Sequence, residues 1–341
     1  RLGLQLKLAD WLSGGRRITT GNTNDPVSTN QTLGTTFNKY TLVLDRAYLK
    51  ADPYAWLTIA GGRIPNPWFS TDLVWDEDLN FDGLAVTLKP RINDSMTGFF
   101  TLGGFPLQEI EDSLTTRAKD KWLIGAQAGM EWTSANNSRF KLGAALYDYR
   151  NYEGIRNAPG SQLYNLTAPQ FRQKGNTLFN IDNDGDPNTT LFALAPRYKN
   201  LNITGALDLA TFDPVRVVLT GDYVRNIGYD QAEILRRTGI NLDRQDTGYM
   251  GRILVGMPQL RSRGDWQAFA GYRYLERDAV IDAFTDSDFH LGGTNAKGYF
   301  LGGGYGLGRN TWVNFRWMSS SEIRGAPLSI DVFQLDFNAR F

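Results

Sequence analysis

The sequence has no cysteine in 341 residues and only one histidine, His290. The first absence removes disulfides, thiol nucleophiles, cysteine zinc sites and iron–sulfur clusters together. The second leaves a single candidate for the general base that a hydrolase needs. Net charge is absent as well, since 36 basic residues meet 36 acidic ones. A nucleic-acid footprint would show as a basic excess. No apolar run approaches the roughly 18–20 residues of a membrane-spanning helix. There is no Gly-x-Ser-x-Gly elbow, no His-Glu-x-x-His pair and no phosphate-cradling glycine loop. A membrane protein built of strands stays open, because alternating strands never make a long hydrophobic stretch.

Glycine and aromatics are plentiful: 36 glycines and 13% Phe, Trp and Tyr, against 13 prolines. That mixture suits turn-rich strands with aromatic girdles and argues against disorder. Arg1 already stands inside a strand pattern, so any targeting segment would precede the sequence given.

Period-two alternation recurs along the whole chain. Leu2, Leu4, Leu6 and Leu8 alternate with Gly3, Gln5 and Lys7. Trp122, Ile124, Ala126, Ala128, Met130 and Trp132 form a second apolar row, with tryptophans at both ends where two membrane interfaces would lie. Phe140, Leu142, Ala144 and Leu146 form another, as do Trp266, Ala268, Ala270, Tyr272 and Tyr274, and Val313, Phe315 and Trp317. The last row is Phe333, Leu335, Phe337, Ala339 and Phe341.

A soluble sandwich alternates too, so the connections decide. Short turns at 9–11, 52–55, 90–95, 133–137, 210–214, 258–264 and 307–309 alternate with long polar segments. The latter are 21–40, 65–80, 106–120, 150–190, 227–246, 277–296 and a shorter one near 319–327. One rim of turns and one of loops is how outer-membrane barrels are built. The expected fold is all-β: a single transmembrane antiparallel up-and-down β-barrel over 1–341, located in the bacterial outer membrane. Fifteen strands are expected, at 1–8, 12–20, 41–51, 56–64, 81–89, 96–105, 121–132, 138–149, 192–209, 215–226, 247–257, 265–276, 297–306, 310–319 and 328–341. Bacterial barrels carry an even number, and this order puts Arg1 at the external rim. A sixteenth, N-terminal strand preceding Arg1 and pairing with both 1–8 and 328–341 is therefore expected; a miscounted strand is the alternative.

Several stretches carry a family resemblance. Asp10-Trp11-Leu12, Thr20-Gly21-Asn22, Asn24 to Gly34, Leu44 to Leu49, Gly61 to Phe69 and Ser70 to Leu84 resemble a family of proteobacterial "putative porins", densely over 9–90 and more loosely beyond. The terminal Phe341, with apolar residues at alternate positions before it, is similar to the C-terminal signature of proteins assembled into the outer membrane. The resemblance implies a passive channel and brings no substrate with it.

The segment 65–80 would be the third external loop. In sixteen-stranded general porins, which this chain resembles in architecture, that loop folds inward and narrows the pore. Here it holds Asp72, Asp76, Glu77 and Asp78 beside Trp68, Phe69 and Trp75, so it would set the charge of a constriction. The alternative is a solvated external loop. Alternation turns Arg17, Arg46, Arg139, Lys141, Arg216, Arg252, Arg273 and Arg316 toward the lumen as a basic pore wall. An acidic loop facing that wall would make a transverse field that favours small dipolar or charged solutes; otherwise the bases simply solvate a wide lumen. Asn180, Asp182, Asp184, Gly185, Asp186 and Asn188 open like a calcium-binding loop, but Leu191 stands where its bidentate Glu belongs, so an EF-hand is excluded. A bound Ca²⁺ or plain turn formation remain for it, and no other cofactor is expected. Gln231–Thr238 could form a short helix. The Gly302-Gly303-Gly304 run within a strand suggests close contact.

The expected function is a porin passing small hydrophilic solutes or ions. A sleeve or adhesin for a partner protein, or a barrel hydrolase using His290 with Asp286 and Asp288, are the alternatives. Membrane lipid, lipopolysaccharide and solutes are the expected partners. A homotrimer packed through the glycine-rich 297–306 strand is expected by resemblance, and nucleic acid is not a partner.

Overall fold

A computed structural model describes residues 1–34, 36–186 and 188–340; Phe341 and the signature it closes lie outside them. The strands are β1 (Leu2–Ala9), β2 (Leu12–Thr20), β3 (Leu42–Tyr54), β4 (Leu57–Pro65), β5 (Asn80–Leu88), β6 (Met96–Gln108), β7 (Lys121–Thr133) and β8 (Arg139–Arg150). After the small β9 (Leu178–Asn180) and β10 (Phe192–Leu194) come β11 (Lys199–Phe212), β12 (Val215–Asn226), β13 (Thr247–Gly256), β14 (Trp266–Leu275), β15 (Ala296–Gly308), β16 (Thr311–Glu322) and β17 (Ser329–Ala339). Fifteen of them form one sheet in which every strand pairs with its neighbour in order, β8 to β11 across the β9–β10 excursion. Each pairing is antiparallel, as an up-and-down barrel requires. No helix among the described residues is long and apolar enough to cross a membrane.

One expected strand is divided. Residues 192–194 do not belong to the barrel wall but pair with Leu178–Asn180 inside the long 151–198 connection. Pro196 breaks the run, having no N–H for a ladder, and Ala193, Leu194 and Ala195 turn into a buried cluster instead. The helix over Gln231–Thr238 (α1) is present, capped by the Asp230 side chain at its start and by Gly239 at φ 77° at its end. Its Ile234 packs with Phe179, Ile181 and Tyr229, so α1 and the 151–198 connection form one external cap.

The alternating rows sort to two faces. Leu2, Leu4, Trp122, Ile124, Met130, Trp132, Leu142, Ile253, Trp266, Phe315 and Trp317 are exposed on the outer face, where lipid replaces water. The inner face is not simply polar. Trp75 lies fully inside, with ring centroids 5.0 Å from Phe81 and Tyr147 and 6.3 Å from Tyr149 and Phe284. The long segments read as polar loops therefore bury an apolar core in the lumen, because Trp68, Leu73, Val74, Trp75 and Leu79 need covering.

The wall is uneven in height. β4 ends at Pro65 and β5 begins at Asn80, while β3 and β6 on either side run on to Leu42 and Gln108. β5 and β6 pair only from Leu84–Gly104 to Leu88–Phe100, and β3 pairs with β4 only from Ala47–Arg63 downward. The result is a low stretch of external rim where the chain leaves the wall for the lumen.

Candidate functional site

The segment joining β4 to β5 crosses the barrel interior. It leaves the wall at Pro65, where the Asn66 side chain accepts the Trp68 N–H at 2.9 Å and fixes the turn. Gln127 on β7, buried in the lumen, then grips the Phe69 backbone at both ends: its Oε1 accepts the Phe69 N–H and its Nε2 donates to the Phe69 carbonyl, each at 2.8 Å. Gly125, one inward position away, has no Cβ, which would stand 2.6 Å from the Trp68 ring. Further across, the Thr71 N–H and hydroxyl both donate to Asp222 on β12.

The far end of the segment meets the 276–295 connection. Thr285 Oγ1 donates to the carbonyls of Asp72 and Leu73 at 3.2 and 3.0 Å, and the Asp76 N–H donates to the Phe284 carbonyl at 2.9 Å. Two loops are thereby laced together in the lumen and tied to walls on several sides. Such a bridge narrows the lumen.

The four acids of this segment have different fates. Asp76 is buried, its carboxylate accepting the N–H groups of Ser287 at 2.8 Å and Asp78 at 2.7 Å. Asp78 pairs with Arg1 and accepts from the Thr29 hydroxyl at 2.6 Å. Only Asp72 and Glu77 line an open space, a cavity of about 210 Å³ that they share with Arg252, Arg273 and Arg316. Desolvation, and secondarily the Asp286 carboxylate, push Asp72 up to about 6. Desolvation pushes Asp76 up to about 7 against the hydrogen bonds it accepts.

The eight basic residues turn inward from their strands but do not act as one wall. Arg17 is paired with Asp45, and Arg46 donates to the Asn80 side chain at 2.6 Å. Arg139 and Arg216 share Asp208 near the short-turn rim, at 3.0 and 2.8 Å. Lys141 sits over the Phe69 and Phe99 rings at 4.5 and 5.0 Å. Arg252, Arg273 and Arg316 gather at the cavity. Arg273 bonds Asp286 at 3.0 Å and Thr285 at 2.7 Å, while Arg316 reaches Asp288 at 3.4 Å. Arg252 lies on the Phe269 ring at 4.4 Å and makes no ion pair among the described residues. That ring can lie against the wall because Gly302 faces it; a Cβ there would stand 2.2 Å from Phe269 Cζ.

The glycine run thus has its close contact inside the barrel. Gly302 and Gly304 give room to Phe269, Leu260 and Asn314 in the lumen. Gly303 alone of the three faces outward, among Ala268 and Phe315 of the neighbouring strands. The run therefore presents no bare outer stripe for a second barrel, because alternation sends its even-numbered positions inward.

The calcium-like segment is a chain of turns. Asn180, Asp182, Asp184 and Asp186 each accept the backbone N–H two residues on, those of Asp182, Asp184, Asp186 and Asn188. Its carboxylates do not converge, and no three of His, Asp or Glu do so elsewhere among the described residues. His290 is buried and held neutral, burial pushing it down to about 4. Its Nδ1 lies 2.9 Å from Ser320 Oγ, whose own proton goes to the Ile330 carbonyl at 3.0 Å. With the serine proton directed to Ile330, the ring nitrogen is the donor of that contact, and among the described residues neither Asp286 nor Asp288 bonds the ring.

Sequence reasoning missed the anchors Gln127 and Thr285 and the role of Asp222. The inward parity of Gln127 and Asp222 was readable, but which loop each would hold was not, and Thr285, in a connection, has no strand parity at all.

The family described as "Putative porin" matches residues 1–341. No curated protein matches the sequence. Among solved structures, Escherichia coli Wzi, described as an outer-membrane protein involved in group 1 capsule assembly and a carbohydrate-binding β-barrel, is similar over 99% of this chain and 70% of its own, at 10% identity and TM-score 0.55. In-vitro folded OmpT, an outer-membrane protein of Vibrio cholerae, is similar over 96% of this chain and 83% of its own, at 11% identity and TM-score 0.45. At such an identity the likeness to Wzi speaks for the fold alone, an outer-membrane β-barrel.

Proposed function

The chain belongs to the putative porin family, and we propose that it is a passive diffusion channel of the bacterial outer membrane with a narrow, charge-lined eyelet. The observation that carries this reading is the cavity of about 210 Å³ between Asp72 and Glu77 on the inward loop and Arg252, Arg273 and Arg316 on the wall. Opposed charges across a narrow passage orient water and dipolar solutes and disfavour bulky apolar ones. Small hydrophilic solutes and ions are the substrates of this reading. It assigns no catalysis, since the lone histidine is buried and Asp286 and Asp288 are bonded to other groups.

A second reading is favoured by one observation: the apolar core around Trp75 fills much of the lumen. A barrel so plugged would bind at its outer face and conduct nothing. The same core argues against a sleeve, which needs its lumen for a partner. Purified protein in a planar lipid bilayer decides between channel and plug. The channel gives steady, discrete current steps; a flat baseline with protein shown to be inserted contradicts it.

A further inference from the structure

A larger cavity, of about 970 Å³, is lined by Trp75 and Leu79 of the inward loop and by the external ends of β3, β5 and β6 along the low rim. One group in its lining is out of keeping with burial. Lys121, the first residue of β7, is 2% exposed. Its Nζ donates to the Ala168 carbonyl at 2.9 Å and lies 5.4 Å from the Tyr152 ring centroid. An ammonium has three donors; one protein acceptor is found, and no carboxylate pairs with it among the described residues. Buried charges are normally paired.

The acids that share the cavity are committed elsewhere. Asp45 is taken by Arg17 and Asn80, and Asp82 by Arg63. Asp25 is turned to the Val27 N–H at 3.1 Å. The inner wall around the ammonium is aromatic, with Tyr152, Phe171 and Phe284 lining the space. Phe284 is held in place by stacking on Tyr149, 6.1 Å away and 5° from parallel. An uncompensated cation among flat apolar faces is complementary to one kind of small molecule.

We propose that this cavity is a binding site for a small monoanion with a flat apolar body, of the benzoate type. Its carboxylate pairs with Lys121 Nζ and its ring lies among Tyr152, Phe171 and Phe284. The site does not depend on conduction through the eyelet, because binding is read in detergent without any current.

The test is ligand-observed NMR titration of the detergent-solubilised protein with benzoate, benzyl alcohol, acetate and glucose. Benzoate is expected to bind, with benzyl alcohol and acetate at least tenfold weaker, since each lacks one half of the complement. Lys121→Met is expected to bring benzoate down to the level of benzyl alcohol. Phe171→Ala is expected to weaken benzoate and benzyl alcohol alike while leaving acetate unchanged. The ligand series on the unaltered protein stands even if a variant fails to fold. Equal binding of benzoate and benzyl alcohol, unchanged benzoate binding by a folded Lys121→Met, or glucose binding above benzoate would each overturn the proposal.

Discussion

Asp72 on the inward loop and Arg252 on β13 line one cavity, and they differ in a way that pH can read. Arg252 keeps its charge at any ordinary pH. Asp72, pushed up to about 6, and Asp76, pushed up to about 7, do not. Both shifts are upward, so the neutral acid is favoured, and the loop gains protons as pH falls through 7 to 5. The charge lost is negative, and the eyelet becomes more positive. Reversal potentials under a salt gradient should therefore move toward anion preference between pH 8 and pH 5. Asp72→Asn should already sit nearer the low-pH value and respond less. A reversal potential that is flat across that range would show that Asp72 does not face the ion path.

Strand alternation is where sequence and structure agree best, and β7 shows why. Gln127 and Ala128 are adjacent, yet one ties the inward loop and the other faces lipid midway between Trp122 and Trp132. Ala128→Arg should cost about 2–4 kcal/mol of folding stability in bilayers, the range for a basic residue at the midplane. Leu142→Arg should cost less, since Leu142 is two positions from Phe140 near the short-turn rim. Gln127→Leu should leave the Phe69 N–H and carbonyl unsatisfied, at about 1–3 kcal/mol for each buried group, and should raise open-channel noise as the loop loosens. Denaturant titration in vesicles and current recordings check the three variants; equal, small effects from all of them would mean that the faces are misassigned. The strand positions were legible because period two is a local property. The 192–194 stretch was misread because a short apolar run looks alike in a barrel wall and in a loop hairpin. The loop anchors were illegible because Thr71–Asp222 and Asp72–Thr285 join residues 151 and 213 positions apart.

At the scale of the whole barrel, the inward loop lines two cavities, a larger one through Trp75 and Leu79 and a smaller, charged one through Asp72 and Glu77. Acids and bases balance over the chain, at 36 each, and they meet again in the smaller cavity, where Asp72 and Glu77 of the loop and Asp286 and Asp336 stand with Arg252, Arg273 and Arg316. Sequence indicated both charge groups and overstated their reach: Asp76 and Asp78 are consumed in holding the loop, and five of the eight bases serve other parts of the wall. The central claim is that ions pass between the two remaining sets. Reversal potential across a salt gradient at pH 8, compared among the unaltered protein, Asp72→Asn/Glu77→Gln and Arg252→Gln, tests it most directly. The account predicts opposite displacements, toward anions when the acids are neutralised and toward cations when Arg252 is. Three coincident reversal potentials, with channels open in every case, would contradict it.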